Sequence, residues 1–195
     1  VITFAPYFTE YKVFTETAGA SLVALDSDPD TFQIDFDLLE KAICKKTAAV
    51  LVNSPNNPSG VVYGEETVKR LAKLLEEKSA QFGRTIYLIT DEPYRELVYG
   101  GVKVPYLTNY YPHTIVCYSY SKSLSLPGER IGYIFVNPAA KDAKSLYLAV
   151  CGAGRALGYV CAPSLFQKLI ARCQGVTSDV SVYERNRDTL AGALR

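Results

Sequence analysis

Three polar stretches, each at the end of an apolar run, collect the side chains able to do chemistry. Ala48 to Val52 leads into Asn53-Ser54-Pro55-Asn56-Asn57-Pro58-Ser59-Gly60, Thr85 to Thr90 into Asp91-Glu92-Pro93-Tyr94, and Thr114 to Tyr118 into Ser119-Tyr120-Ser121-Lys122. A lysine amine can form a Schiff base with an aldehyde, and a carboxylate can pair with a ring nitrogen. Amide and phenol groups can bind a ring oxygen, and serine with arginine can hold a phosphate. Together these groups suit a phosphorylated aldehyde better than a nucleotide. No Walker sequence is present. Gly152-Ala153-Gly154-Arg155-Ala156-Leu157-Gly158 sets its third glycine one position too late for a dinucleotide fingerprint and follows a helical run instead of a strand, so it reads as a packing feature.

The elements that must position these residues alternate between short β-rich runs and longer runs of helical period. That is the α/β pattern of a largely parallel sheet covered by helices. Strands are expected at Val1 to Phe4, Ser21 to Leu25, Ala48 to Val52, Thr85 to Thr90, Thr114 to Tyr118 and Ile131 to Val136. Helices are expected at Glu10 to Ala18 and at Asp35 to Cys44, the latter with Phe36, Leu39 and Ile43 on one side. The clearest helix is Glu65 to Phe82, with Val68, Leu71, Ala72, Leu75 and Phe82 as its apolar stripe, Glu65/Lys69 and Glu66/Arg70 on its wet side, and Gly83 as its stop. Ser164 to Cys173 forms another, and a last one begins near Ser178 with Ser181 and Glu184 spaced as a capping box; Tyr183, Leu190 and Leu194 continue its apolar side. In open α/β sheets ligands bind outside the carboxyl ends of the strands, so the three polar stretches can line one crevice.

Composition narrows the classes. A chain of 195 residues with 48% hydrophobic content can bury a substantial core as one domain. A formal net charge of +1 gives no field for nucleic acid or an anionic membrane surface. No apolar run is long enough to span a bilayer, and the first residues lack the charged segment of a signal peptide. Five cysteines (Cys44, Cys117, Cys151, Cys161 and Cys173) form no C-x-x-C pair, which argues against a disulfide framework and a metal site. They are expected to be reduced and mostly packed, in a cytoplasmic compartment. The chain starts at Val1, contains no Met and ends at Leu194-Arg195 within a helical run, as expected of a piece of a longer protein.

The stretch Ser119-Tyr120-Ser121-Lys122-Ser123-Leu124-Ser125-Leu126-Pro127-Gly128-Glu129-Arg130-Ile131-Gly132 resembles the lysine signature of class I pyridoxal-phosphate aminotransferases, the fold-type-I family that includes aspartate aminotransferase. Asn-Asn-Pro-Ser-Gly before it and Asp-Glu-Pro-Tyr between occur in that family's order and approximate spacing. The resemblance implies a three-layer α/β/α fold with a mostly parallel central sheet, in which residues 1–195 form the large cofactor-binding domain, truncated at both ends. It implies pyridoxal 5'-phosphate as cofactor, amino acid and 2-oxo acid substrates, and a homodimeric parent enzyme. Lys122 matches the Schiff-base lysine, and Asp91 the carboxylate paired with the ring nitrogen. Asn57 and Tyr94 match donors to the ring's phenolic oxygen, Ser119 and Arg130 match phosphate ligands, and Phe8 falls where an aromatic ring stacks on the cofactor. The family's arginine for the substrate α-carboxylate belongs to a carboxy-terminal small domain, and no position here supplies it, so the chain alone is expected to turn over weakly or not at all. A cofactor-sensing domain of a transcription regulator and a pyridoxal-phosphate-dependent lyase are the alternative readings.

Other residues have plainer readings. Asp91 alone could be a helix cap or turn former, Glu92 reads as structural, and Asn57-Pro58-Ser59 as a turn. Tyr11 could sit beneath the cofactor near Asp91 or in the core. His113 reads as a loop residue. Arg155 reads as a surface pair, with an acidic substrate side chain or a subunit partner as the other readings.

Overall fold

Alternating apolar residues and helical periods sort the chain into a sheet with helices against its faces. The computed structural model describes residues 1–194. The strands are β1 (Ile2–Ala5), β2 (Val23–Asp26), β3 (Ala49–Asn53), β4 (Tyr87–Asp91), β5 (Thr114–Ser119) and β6 (Gly132–Val136). They form one six-stranded sheet in the order β2-β1-β3-β4-β5-β6. All neighbouring pairs are parallel except β5 and β6, which run antiparallel. The helices are α1 (Glu10–Thr17), α2 (Phe36–Ala42), α3 (Glu65–Phe82), α4 (Tyr120–Ser123), α5 (Ala143–Ala156), α6 (Ser164–Arg172) and α7 (Val180–Ala193). This is the expected α/β fold. No helix among the described residues is long and apolar enough to cross a membrane.

The core lies on one face of the sheet. Val50, Val52, Ile86 and Leu88 are buried with Val68, Leu71, Ala72 and Leu75 of α3. Leu74 joins that stripe, Phe82 is only partly buried, and Gly83 ends the helix at φ 65°, a conformation a side chain would resist. Lys69 bridges Glu65 and Glu66 at 3.0 Å each, whereas Arg70 leaves Glu66 and lies over the Phe36 ring, 4.2 Å from its centroid.

Four expectations are corrected. The helix read from Asp35 is shorter, because Asp35 caps it by accepting the N–H groups of Asp37 and Leu38 at 2.9 and 3.0 Å. The capping box at Ser181 and Glu184 does not form: Asp179 accepts the Ser181 N–H at 3.0 Å, and Glu184 faces Arg187 at 3.6 Å. A carboxylate two residues before the helix's first free N–H groups outcompetes a hydroxyl inside it. Tyr183, Leu190 and Leu194 are exposed instead of forming a packed side. The thiols are free, but Cys44, Cys151 and Cys161 are exposed, so most are not packed.

Candidate active site

The ends of β3, β4 and β5 lie side by side, with Asn53 in register with Asp91, and Asp91 with Cys117. Asn53 ties two of the polar stretches together. Its amide donates to the Asp91 carbonyl at 2.8 Å, and its side-chain oxygen accepts the Asn57 N–H at 3.0 Å. The loop after β3 is also a turn in its own right: Asn56 Oδ1 accepts the N–H and the hydroxyl of Ser59 at 3.0 and 2.7 Å, and the Asn56 N–H donates to the Val61 carbonyl at 2.9 Å. So fixed, Asn57 donates its amide to the Tyr94 hydroxyl at 3.1 Å. The Lys122 amine stands 5.9 Å from the centroid of the Tyr94 ring. Residues from three separate strand ends therefore converge on one phenol.

Asp91 sits half-buried beside this group. The Tyr11 hydroxyl donates to its Oδ2 at 2.5 Å, which sets the buried Tyr11 beside Asp91. Burial pushes the Asp91 carboxyl above the usual range, and the Tyr11 hydrogen bond pulls against it. Burial and then the neighbouring Asp91 charge push the Tyr11 phenol well above the ordinary tyrosine value, so it stays a donor. Phe8, exposed, meets the Tyr11 ring edge-on at 5.6 Å between centroids. Cys117, beside Asp91, is pushed up to about 11 by burial and by the carboxylates of Asp91 and Glu92, which keeps it a protonated thiol and no nucleophile.

Ser119 caps α4 by accepting the Ser121 N–H at 3.2 Å, and its hydroxyl lies 2.8 Å from that of Ser121. Arg130 donates Nη1 to the Pro127 carbonyl at 2.8 Å; among the described residues its other N–H donors are free and no bond joins it to Ser119. Gly132 admits no side chain: a Cβ there would lie 2.3 Å from the Tyr118 carbonyl oxygen, so this glycine lets β6 close against the end of β5. A cavity of about 470 Å³ opens beside Asn57 and Tyr94 and includes Tyr99 and Arg187. A second, of about 720 Å³, lies over the sheet face of Asp91, Cys117 and Ser119, with Tyr133, Cys151 and Arg155 on its walls.

Glu92 is structural, as its position suggested. It is buried, accepts the Thr90 hydroxyl at 2.9 Å and takes Nε and Nη2 of Arg95 at 2.7 and 2.5 Å. His113 lies edge-on between Tyr87 and Tyr111 just before β5, away from the convergent groups. Among the described residues no cluster of acidic, histidine or cysteine side chains could hold a metal ion. Sequence reasoning did not single out Asn53 for the site. Its signal was only its place as the last residue of a buried strand, where an amide can bond both neighbouring chain segments.

Similarity to known proteins extends over nearly the whole chain. The family model described as "Aminotransferase class I and II" matches residues 1–194. A probable aspartate/prephenate aminotransferase of Thermus aquaticus is 37% identical over 134 residues, 68% of this chain and 33% of that protein. A probable N-acetyl-LL-diaminopimelate aminotransferase of Bacillus subtilis is 33% identical over 178 residues, 91% of this chain and 42% of that protein. Among solved structures, an aminotransferase of Eubacterium rectale superposes with a TM-score of 0.97 at 63% identity, covering 99% of this chain and 48% of that one. The N-succinyldiaminopimelate aminotransferase of Mycobacterium tuberculosis superposes with a TM-score of 0.82 at 29% identity, covering 99% and 50%. The chain thus spans 33 to 42% of the length of those curated relatives and about half of those solved chains.

Proposed function

We propose, from the premise that this chain belongs to the class I and II aminotransferase family, that residues 1–195 form the cofactor-binding domain of a pyridoxal-phosphate-dependent enzyme moving an amino group between an amino acid and a 2-oxo acid. The observation that carries this reading is the convergence of the Lys122 amine, the Asn57–Tyr94 pair and the half-buried Asp91 at three adjacent strand ends.

These residues fit the group. A half-buried carboxylate suits a protonated ring nitrogen, an amide–phenol pair suits an anionic ring oxygen, and a hydroxyl with an arginine of spare donors suits a phosphate. When bound, pyridoxal phosphate supplies an aldehyde that condenses with a primary amine, releasing water, and a ring that accepts the electron pair freed at the substrate α-carbon.

The protein's own residues do the rest. Lys122 would hold the group, and its amine, when free, would carry the proton to and from the substrate α-carbon, work of a kind that contributes about 10² to 10⁴ in rate. Asp91 would hold the ring nitrogen. An opposite charge at that range shifts a pKa by roughly 1 to 3 units, about 1.4 to 4 kcal/mol in favour of the protonated ring. Tyr11 holds the Asp91 carboxylate in one orientation through its hydrogen bond. Tyr94, oriented by Asn57, would stabilise negative charge on the ring oxygen, while Ser119 and Arg130 would take the phosphate and Phe8 would cover the ring. Relatives named for aspartate, prephenate and acylated diaminopimelate support a dicarboxylic or α,ω-functional amino donor.

The test is spectroscopic. Protein mixed with pyridoxal phosphate is expected to develop the absorption of a lysine-bound cofactor, and Lys122→Ala to abolish it. No band in the unsubstituted protein, or an equal band in the variant, would overturn the reading.

A further inference from the structure

Ser178 lies in the loop between α6 and α7, and it grips the turn that carries Lys122. Its N–H donates to the Ser123 carbonyl at 2.7 Å. Its hydroxyl lies 3.0 Å from that same carbonyl, 3.3 Å from the Lys122 carbonyl and 2.9 Å from the Ser125 hydroxyl. A hydroxyl has one proton to give and lone pairs to accept. The Ser125 hydroxyl therefore donates to Ser178, and Ser178 donates to the adjacent carbonyls.

The turn needs such a hold. α4 is a single turn of four residues, too short to sustain itself. The bonds that follow it, from the Leu124 and Leu126 N–H groups to the Tyr120 carbonyl, are long at 3.4 Å each. Ser125 sits at φ 54°, in the left-handed region that a side-chain-bearing residue resists. Backbone of that kind persists only where its surroundings over-determine it, and the side chain bonded to Ser125 is that of Ser178. The other side of the turn is held from within the sheet. Ser123, 2% exposed, lies 2.8 Å from the Tyr118 hydroxyl, which donates its own proton to Glu96 at 2.8 Å. The helix that follows Ser178 also reaches the cavity beside Asn57 and Tyr94: Arg187 of α7 lies over the Tyr99 ring, 4.5 Å from its centroid.

We propose that Ser178 is a positioning residue for Lys122. By fixing the carbonyls of Lys122 and Ser123 and the left-handed Ser125, it sets where the lysine amine stands relative to Tyr94 and Asp91. Ser178 touches no reacting atom and acts through the turn. The proposal rests on the reading of Lys122 given above.

Two measurements on Ser178→Ala and Ser178→Thr test it. In the protein without added ligand, amide exchange at Leu124, Ser125 and Leu126 is expected to rise about fivefold or more in Ser178→Ala, the effect of losing one hydroxyl hydrogen bond. Exchange in α3 should hold, and Ser178→Thr, which keeps the hydroxyl, should restore the turn. With pyridoxal phosphate added, the pH midpoint of the lysine-bound absorption is expected to move in Ser178→Ala and return in Ser178→Thr, a signature that a general loss of stability would not produce. Unchanged exchange and an unchanged midpoint in Ser178→Ala, or no rescue by Thr, would overturn the positioning role while leaving the Lys122 band intact. Absence of that band in the unsubstituted protein would overturn the reading of Lys122, and the positioning role with it.

Discussion

On one face of the sheet, α3 presses Val68, Leu71, Ala72, Leu74 and Leu75 into a continuous core against β3 and β4. On the far side of the molecule α5, a helix of 14 residues with its own apolar positions, packs beside β6 and buries none of them. Tyr147 and Leu148 of α5 and Tyr133, Ile134 and Phe135 of β6 are all exposed. The two regions are built from the same kinds of residue, so composition does not separate them. What separates them is the partner each meets within the chain. The stability of the fold resides where α3 closes the sheet, and the side chains able to do chemistry lie at strand ends and over a sheet face left open.

The sharpest way to break that division is at Glu92, which belongs to the closed face although it sits one residue from Asp91. Glu92→Ala leaves Arg95 buried and unpaired, and removing one partner of such a pair costs about 3 to 5 kcal/mol. A fall of that size in urea or thermal unfolding is expected. A change below about 1 kcal/mol would mean that the pair is solvated and the closed face is thinner than its burial indicates.

Next in size is a matched truncation on the two helices. Leu75, 0% exposed on α3, is expected to cost about 2 to 5 kcal/mol as Leu75→Ala. Leu148, 59% exposed on α5, should change stability by no more than about 0.5 kcal/mol as Leu148→Ala. Equal costs would show that α5 meets a partner in solution, such as a second copy of the chain, and dilution would then separate the two variants.

Much of this contrast was legible in the sequence, and the parts that were not have physical causes. The apolar stripe of α3 and its stop at Gly83 follow from period and glycine chemistry alone, and Leu74 was missed because it sits at the edge of the stripe. The three strand ends that build the site were marked by polar residues after apolar runs, and their order in the sheet brings them together. Tyr11 could not be assigned, because its partner Asp91 is 80 residues away. Ser178 carried no signal at all: a serine after a glycine-ended helix is ordinary, and its meaning lies in carbonyls of a turn more than 50 residues earlier. The capping box at Ser181 and Glu184 was a correct pattern defeated by a better acceptor, Asp179, at the preceding turn. Which helices find a partner is not written in their own periodicity.

A smaller effect tests the boundary between the two regions. Burial raises the folded-state pKa of Asp91 above its ordinary value. From about pH 4 upward, to that raised value, the folded protein therefore holds a proton the unfolded chain has lost. Stability must fall as pH rises through that window, by at most about 1.4 kcal/mol per pH unit for one proton. Glu92, also raised by burial, adds to the same slope. Asp91→Asn is expected to remove the Asp91 share, measured as a flatter dependence of the unfolding midpoint on pH. Added pyridoxal phosphate should flatten it too, because a cation beside Asp91 favours the ionised form. An unaltered slope in Asp91→Asn would assign the whole effect to Glu92 and leave Asp91 as a solvated carboxylate.

The smallest expected effect asks whether α7 belongs to the cooperative fold. Asp35 and Asp179 both cap their helices, Asp35 by accepting two N–H groups of the first turn and Asp179 by accepting one, and loss of such a cap costs about 0.5 to 2 kcal/mol of helix stability. The two losses should be felt differently. α2 is tied to the core by Leu39, 0% exposed, so Asp35→Ala is expected to lower the global unfolding midpoint. α7 buries none of its residues, so Asp179→Ala should leave that midpoint in place and raise amide exchange only in the first turn of α7. If Asp179→Ala instead lowers the midpoint as far as Asp35→Ala, then α7 unfolds with the core. The hold of the loop before it on the Lys122 turn, through Ser178, would then be part of what keeps the sheet together, and stability and chemistry would no longer lie in separate regions.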